Sequence, residues 1–499
     1  MEHQVKMESY NQFYKRKDRH FVIKNAIEKL TIFRENACCV SRNYVRNIYD
    51  YLTLTEDESE NKLQASKIEI NYISDWEKLH DSYIGYKRPS DLTVCYLSGP
   101  EPENDFQEFT EMGILPQNIW AFEIDANIYN NALYHSTTMH YPAPRIIKQK
   151  LETFLARTPK KFDIIYVDSC GAIPSSQHAL KCISTIFEYQ RLNSPGAVIT
   201  NFTEPDENEI PSYVKLIVPY LFFKKYSDNK YSSINDVLSD VNYQQMEELK
   251  TEKFDKLYSD FITYVLRDVP SLFIPLKRMQ ENPYFQKLIE LNRDVYFSDE
   301  EAFRDAENSP LLQFILFVNN QSANNQRINQ FFNEIGFNNK IYDSIKIEVL
   351  KQVEKLKMPI EIKKFYNEFS SQVYQFLDKP HPNLFLDVVF NQLNYPYHCV
   401  LQDIERYKYC AKKKWMYTDL LIYDECRYIY EWLPTIQQME TAFKNLSVQY
   451  VFRFALDGLV KQREKYNSDF FYQGSIITSN EEKFKRKEIM SRINLNKQG

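Results

Sequence analysis

The chain has 499 residues and a formal net charge of −6, with 43% hydrophobic and 26% charged residues. This balance is typical of a soluble globular protein of roughly two to four domains, and it excludes a general electrostatic attraction to nucleic acid, so such a contact would need a local basic surface. Eight cysteines without a CxxC pair exclude a disulfide framework, indicate reduced thiols and a cytoplasmic location, and predict no metal site.

Residues 1–85 are predicted to form an N-terminal helical region. Basic and aromatic helical stretches occupy 21–33 and 40–52. The longest apolar runs of the whole chain, 216–223 and 311–318, are shorter than the roughly 18–20 residues that a membrane span needs, so we expect no membrane segment and no membrane partner.

Residues 86–230 show a different pattern, in which short apolar runs alternate with amphipathic helices. The predicted strands are 93–97, 118–124, 145–149, 161–167 and 197–202, and the predicted helices are 105–112, 126–133 and 177–191. This alternation indicates βαβ units and an α/β fold with a Rossmann-like, doubly wound sheet. Such sheets bind ligands at the carboxyl ends of their strands.

Residues 231–499 are predicted to form a large, mainly α-helical region that recognises a substrate or assembles with a partner. Apolar residues recur at three- and four-residue steps in 362–376 and again in 436–446. Stripes of this kind indicate helix faces that pack into a core.

A nucleoside cofactor needs two features that the first two strands supply. The backbone must approach the ligand closely where the first strand turns, and Gly99 lies there. A carboxylate must accept the ribose hydroxyls at the end of the second strand, and Glu123 and Asp125 lie there. The absence of GxGxxG argues against a dehydrogenase.

Four segments in this region, in order, resemble the class I S-adenosylmethionine (SAM)-dependent methyltransferases. VCYLSGPEPEND resembles their first motif, WAFEID the acidic second motif, KQKLETFL the third and FDIIYVDSCG the fourth. The first-motif loop departs from the family because it has one glycine, two prolines and two glutamates. The resemblance implies a Rossmann-like fold, SAM as cofactor and transfer of a methyl group to an acceptor that the sequence does not identify.

The resemblance also implies residue roles around the cofactor. Ser98 and Gly99 would line the methionine and ribose region, and Glu101 would hold the methionine ammonium. Glu123 would bind the ribose hydroxyls, and Asp125 would position the adenine edge.

Two further roles follow at the third and fourth motifs. Glu152 would lie near the adenine amine, and Asp168, at the end of the fourth strand, would face the transferred methyl as the catalytic carboxylate. Tyr166 and His178 are weaker candidates for proton removal. Asn201 is a weak candidate for an oxygen ligand to a divalent cation.

Other functions remain open. The residues after Asp168 lack the Pro-Pro-aromatic signature of the commonest DNA adenine and cytosine N-methyltransferases, and Cys170 lacks the preceding proline of a pyrimidine-attacking nucleophile. The main alternative to an enzyme is a non-catalytic protein whose Rossmann-like domain senses a nucleoside or serves in assembly, with a protein as its partner.

One basic, aromatic segment, 406–417, could contact nucleic acid. It contains Lys412, Lys413 and Lys414 among several aromatic residues, a composition that combines phosphate attraction with base stacking. The alternative is an amphipathic segment whose rings pack inward while its lysines face water.

Overall fold

The structure of the protein is a computed structural model that describes most of the chain. The described residues are 13–54, 60–138, 143–169, 171–176, 179–226, 248–281, 326–336, 395–411, 413–432, 445–461 and 489–497.

A single β-sheet of nine strands organises the described residues. Its strands are β1 (Val94–Leu97), β2 (Ile119–Glu123), β3 (Arg145–Lys148), β4 (Phe162–Asp168), β5 (Leu192–Thr203), β6 (His398–Cys399), β7 (Glu405–Ala411), β8 (Lys414–Asp424) and β9 (Ile493–Asn494). The strand order is β3-β2-β1-β4-β5-β8-β7-β9, and β6 pairs with β8. Strands β1 to β5 are parallel, whereas β8 is antiparallel to both β5 and β7.

The five strands predicted from the sequence are confirmed, and the largest difference is at β5, which begins at residue 192 rather than at 197. The central strand β4 is buried from its first residue to Val167, because both faces of a parallel sheet are covered. The order of the five parallel strands reverses between β1 and β4, which makes that position the topological switch point of a Rossmann-like sheet.

Fourteen helices accompany the sheet in the described residues. They are α1 (Phe13–Leu30), α2 (Tyr44–Leu54), α3 (Glu60–Ala65), α4 (Ile70–Ile84), α5 (Glu103–Glu111), α6 (Ala126–Thr138), α7 (Leu151–Arg157), α8 (Ala179–Glu188), α9 (Ile210–Tyr226), α10 (Phe254–Asp268), α11 (Ile274–Glu281), α12 (Gln326–Glu334), α13 (Arg427–Tyr430) and α14 (Leu446–Lys461).

Helices cover both faces of the sheet and define two hydrophobic cores. One core contains buried residues of α1, α2, α4, α5 and α14. The other contains buried residues of α7, α8, α9, α10 and α12. The sheet is therefore doubly wound, with a mixed α/β architecture. None of the helices in the described ranges is long and apolar enough to cross a membrane.

The prediction of a mainly helical region after residue 230 is wrong for 398–424. That segment forms β6, β7 and β8, and residues 416–423 of β8 pair with residues 196–203 of β5. A strand buried on both faces is an unbroken apolar run, which periodicity alone does not separate from a buried helix. The stripe at 362–376 and most of 436–446 lie outside the described residues, and the three-part division of the chain stays a prediction.

Candidate active site at the carboxyl edge of the sheet

Three neighbouring strands bring the predicted cofactor and catalytic residues to one edge. The carboxyl end of β1 leads to Ser98 and Gly99, β2 ends at Glu123, and β4 ends at Asp168. Strand β1 lies between β2 and β4, with Tyr96 level with Tyr166 in the register. The three strand ends are therefore adjacent at the switch point, where open α/β sheets bind ligands.

The turn after β1 leaves room for a ligand beside its backbone. Gly99 has φ +60°, a conformation that side chains with a Cβ rarely adopt, and nothing lies within 4 Å of the place where its Cβ would stand. The Ser98 amide donates to the Phe122 carbonyl oxygen at 3.0 Å, which fixes the turn against β2. Glu101 accepts a 2.9 Å hydrogen bond from Asn104, so its carboxylate is directed toward the start of α5.

The carboxylates after β2 are held by backbone amides. One oxygen of Glu123 accepts from the amides of Ile124 and Asp125, at 2.7 and 2.8 Å. Asp125 accepts from the amides of Asn127 and Ile128, at 2.8 and 3.0 Å, and so caps the N-terminus of α6. Asp125 therefore has a structural role that the sequence analysis did not assign.

Glu152 lies in the first turn of α7 and is half-buried. Helix α7 follows β3, the edge strand that pairs with β2, so Glu152 is on the same side of the switch point as Glu123. Its role near an adenine amine stays a prediction.

Asp168 is largely buried, with a side chain 10% exposed. The ammonium of Lys15, on α1, lies 2.8 Å from its Oδ2, and Asn201 donates to its Oδ1 at 2.9 Å. Burial raises the pKa of this carboxyl, but Lys15, Arg19 and Asn201 together outweigh burial and hold the pKa below its ordinary value of 3.8. Asp168 is consequently ionised while Lys15 is paired with it.

A buried hydrogen-bond network extends from Asp168 to the C-terminal strands and back to α1. Asn201, on β5, also donates to the phenol oxygen of Tyr409 on β7 at 2.8 Å. The hydroxyl of Thr418 on β8 lies 3.2 Å from the Asn201 Oδ1 and donates to Asp18 on α1 at 2.7 Å. The described N-terminal helix thus lies directly against the carboxyl ends of β4 and β5.

Helix α1 also binds the helix that follows the first-motif loop. Arg19 lies with its Nε 2.6 Å from the Asp105 Oδ1 on α5, and both side chains are at most 7% exposed. Burial raises the pKa of Asp105, and the charge of Arg19 opposes that effect. This pair fastens α1 beside the turn that contains Gly99.

Sequence reasoning missed most of this network. Lys15, Asp18, Tyr409 and Thr418 lie far from the four motifs in the chain and reach Asp168 only through the fold. Among the weaker candidates, Tyr166 is buried in the sheet, while the predictions for Cys170 and His178 fall on positions outside the described residues.

The basic segment 406–417 is part of the sheet. Tyr407, Tyr409 and Tyr417 are at most 8% exposed, so these rings pack inward and are not available to stack on bases. Lys414 pairs with Asp206 at 2.5 Å, Lys413 is exposed in the turn between β7 and β8, and Lys412 lies outside the described residues. Contact of these lysines with nucleic acid stays a prediction.

The buried carboxyl of Asp18 should make the free energy of unfolding depend on pH. Burial first, and then the charge of Asp168, raises its pKa from 3.8 to about 7, although the Thr418 hydrogen bond opposes this. Between pH 3.8 and about pH 7, Asp18 keeps its proton in the folded protein but releases it in the unfolded chain. The free energy of unfolding therefore falls as the pH rises through this range. Three pKa units correspond to about 4 kcal/mol.

Asp18→Asn keeps an acceptor for Thr418 and removes the titration. We expect its free energy of unfolding, relative to the natural protein, to increase from pH 4 to pH 7 by up to about 4 kcal/mol. Denaturant unfolding at a series of pH values measures the difference. A difference that stays constant across this range would contradict the assigned environment of Asp18.

Comparison with protein-family models gives no match, and comparison with curated proteins gives none either. Similar solved structures include a methylase candidate from Haemophilus influenzae (14% identity, 23% of this chain and 65% of that chain, TM-score 0.20). A second is a SAM-dependent methyltransferase from Clostridium acetobutylicum (17% identity, 32% of this chain and 58% of that chain, TM-score 0.18). A third is the magnesium protoporphyrin IX methyltransferase of Synechocystis PCC 6803 with bound SAM (13% identity, 34% of this chain and 78% of that chain, TM-score 0.19). The chain spans less than two thirds of the first two proteins, and at these TM-scores the likeness assigns no activity.

Proposed function

We propose that this protein is a SAM-dependent methyltransferase whose cofactor lies along the carboxyl ends of β1, β2 and β4. The observation that carries the proposal is the placement of Gly99, Glu123 and Asp168 at three adjacent strand ends of the switch point. SAM would supply a methyl group on a sulfonium, and the protein would align the acceptor and remove its proton.

The residues at this edge fit a nucleoside. The open space beside Gly99 allows the backbone to approach the ligand, and Glu123 is held at the end of β2, where a ribose-binding carboxylate belongs. Ser98, Glu101 and Glu152 would supply further polar groups to the cofactor. Glu123 and Asp125 each use one carboxylate oxygen to accept from two backbone amides, so each would bind the cofactor through its other oxygen.

On the acceptor side, Lys15 controls the basicity of Asp168. While the ammonium is 2.8 Å away, the low pKa of Asp168 makes it a weak base. An acceptor that displaces Lys15 leaves a buried carboxylate whose burial raises its pKa. Asp168 then accepts the proton of the acceptor, and Lys15 acts as a positioning residue.

Cofactor binding gives the first test. Glu123→Ala removes the carboxylate assigned to the ribose hydroxyls, and we expect the affinity for SAM to fall roughly 10- to 100-fold, because hydrogen bonds to a charged group are lost. Calorimetric titration with SAM and with its demethylated product measures this effect. Glu111→Ala is the matched control, since Glu111 is exposed at the end of α5.

Binding by the natural protein and by Glu111→Ala, with loss in Glu123→Ala, supports the proposed site. If the natural protein binds neither SAM nor its product at millimolar concentration, the proposal fails. Equal affinities for all three proteins would place the cofactor elsewhere.

A nucleoside sensor is the second candidate, and the Lys15–Asp168 ion pair is the observation that favours it. The ammonium occupies the side of Asp168 that an acceptor would need, and α1 lies across the ends of β4 and β5. A sensor would bind SAM without transferring its methyl group.

A further inference from the structure

Two cysteines and an aspartate form a compact buried group away from the proposed methyl-transfer site. The Sγ atoms of Cys39 and Cys426 and a carboxylate oxygen of Asp424 lie within 4.8 Å of one another. All three residues are at most 1% exposed. We refer to them as the Cys39–Asp424–Cys426 cluster.

The three residues come from distant parts of the chain. Cys39 lies between α1 and α2, Asp424 is the last residue of β8, and Cys426 directly precedes α13. Cys39 and Asp424 are 385 positions apart. The cysteine spacing along the sequence therefore gives no indication of the cluster.

The backbone at Cys426 is unusual. Its φ and ψ are +51° and +37°, the left-handed region in which a residue with a side chain is strained by roughly 1–3 kcal/mol. This conformation brings the Cys426 Sγ to 3.5 Å from the Asp424 Oδ2. The thiol of Cys426 therefore stands at a position whose backbone conformation favours glycine.

The carboxylate of Asp424 is held in place by four neutral hydrogen-bond donors. Its oxygens accept hydrogen bonds from the amides of Cys39 and Cys426, at 3.0 and 2.8 Å, and from the hydroxyls of Ser194 and Tyr428, at 3.1 and 2.6 Å. These donors fix the orientation of the carboxylate beside the Cys426 thiol.

We propose that Cys39, Asp424 and Cys426 bind a zinc ion. Two thiolates and a carboxylate match the ligands that zinc takes in tetrahedral sites. On binding, both thiols release their protons to solvent, and two thiolates and one carboxylate face one divalent cation. The carbonyl oxygen of His398, 3.8 Å from the Cys39 Sγ, is the candidate for the fourth position.

The bound ion would have a structural consequence that is independent of methyl transfer. It would link the segment between α1 and α2 to the end of β8, and so fasten the N-terminal helices to the sheet. The hydrogen bonds to Asp424 from Tyr428 and from the two amides are the outer contacts that fix a ligating carboxylate.

Metal content of the full-length protein, produced with zinc in the medium, tests the proposal. Elemental analysis after desalting should find one zinc ion per chain in the natural protein and in Cys182→Ser, a buried cysteine on α8 outside the cluster. Cys426→Ser and Asp424→Asn should lose the metal. Absence of metal from the natural protein, or full retention in both cluster variants, overturns the proposal.

Two measurements remain decisive if a cluster variant does not fold. Cobalt(II) added to the natural protein after chelation should give thiolate-to-cobalt charge-transfer absorption and the intense visible bands of a tetrahedral site, and zinc should abolish both. Tyr428→Phe removes the hydroxyl that donates to Asp424 and accepts from the Val40 amide, leaves the three ligands in place, and should weaken zinc binding roughly 10- to 100-fold. Absence of the charge-transfer absorption, or unchanged affinity in Tyr428→Phe, counts against the site.

Discussion

Asp419→Asn should lower the free energy of unfolding by about 3–5 kcal/mol, because it removes the counter-charge of the buried Arg492 and leaves the buried Arg406 with Asp260 alone. Asp419 is completely buried on β8. Arg492 lies 2.5 Å from its Oδ2, and Arg406 lies 3.8 Å from its Oδ1. Both arginine side chains are 2% exposed, so water does not replace the lost charge.

The amide in this variant keeps an acceptor for the hydroxyl of Thr263, which donates to Asp419 at 2.7 Å. The loss therefore reports the charge rather than the hydrogen bond. Denaturant unfolding measures it against Asp75→Asn, which disrupts the exposed pair of Asp75 with Lys78 and should change stability little. Similar effects of the two substitutions would show that the arginines are not held by Asp419.

The ion pair of Arg492 with Asp419 also shows how the C-terminal residues join the fold. Arg492 donates to the carbonyl oxygen of Thr418 on β8 and stacks over Tyr417, with its guanidinium carbon 5.4 Å from the ring centroid. Residues near the end of the described chain thus secure the strand that carries Thr418, which in turn binds Asp18 and contacts Asn201. Stability of the sheet and geometry of the candidate site are consequently coupled through β8.

The sequence was sufficient to predict the strands that carry the cofactor motifs. The run that becomes β4 is apolar because both faces of the strand are buried, and Asp168 is the polar residue at its end. The same reasoning located Gly99 and Glu123 at neighbouring strand ends. These predictions depend on local patterns, and local patterns are what a single sequence displays.

The partners of Asp168 could not be predicted in this way. Lys15 and Asp18 belong to a helix whose burial is visible only when it packs on the sheet, and Thr418 lies in a strand that sequence periodicity assigned to a helical region. The Cys39–Asp424–Cys426 cluster could not be predicted for the same reason, since its three residues come together only in the folded chain. Contacts over such separations depend on topology rather than on spacing.

Asp168→Asn should reduce methyl transfer roughly 10²- to 10⁴-fold if this carboxylate removes the acceptor proton. Binding of SAM should persist, because Glu123 and the turn at Gly99 are unchanged. Transfer of labelled methyl groups from SAM to the small-molecule, protein, RNA and DNA fractions of a cell extract measures the activity, and calorimetry measures the binding. If the natural protein binds SAM but labels no fraction, the sensor function is favoured.

Lys15→Met separates a positioning role for Lys15 from a merely structural one. The ammonium holds the pKa of Asp168 below 3.8 in the free protein, so the acidic limb of the kcat/KM profile should lie below pH 3.8. Removing the ammonium leaves burial as the largest influence on Asp168 and raises its pKa. We therefore expect the limb to move to higher pH in Lys15→Met. Lower activity with an unmoved limb would mean that Lys15 supports the fold without setting the basicity of Asp168.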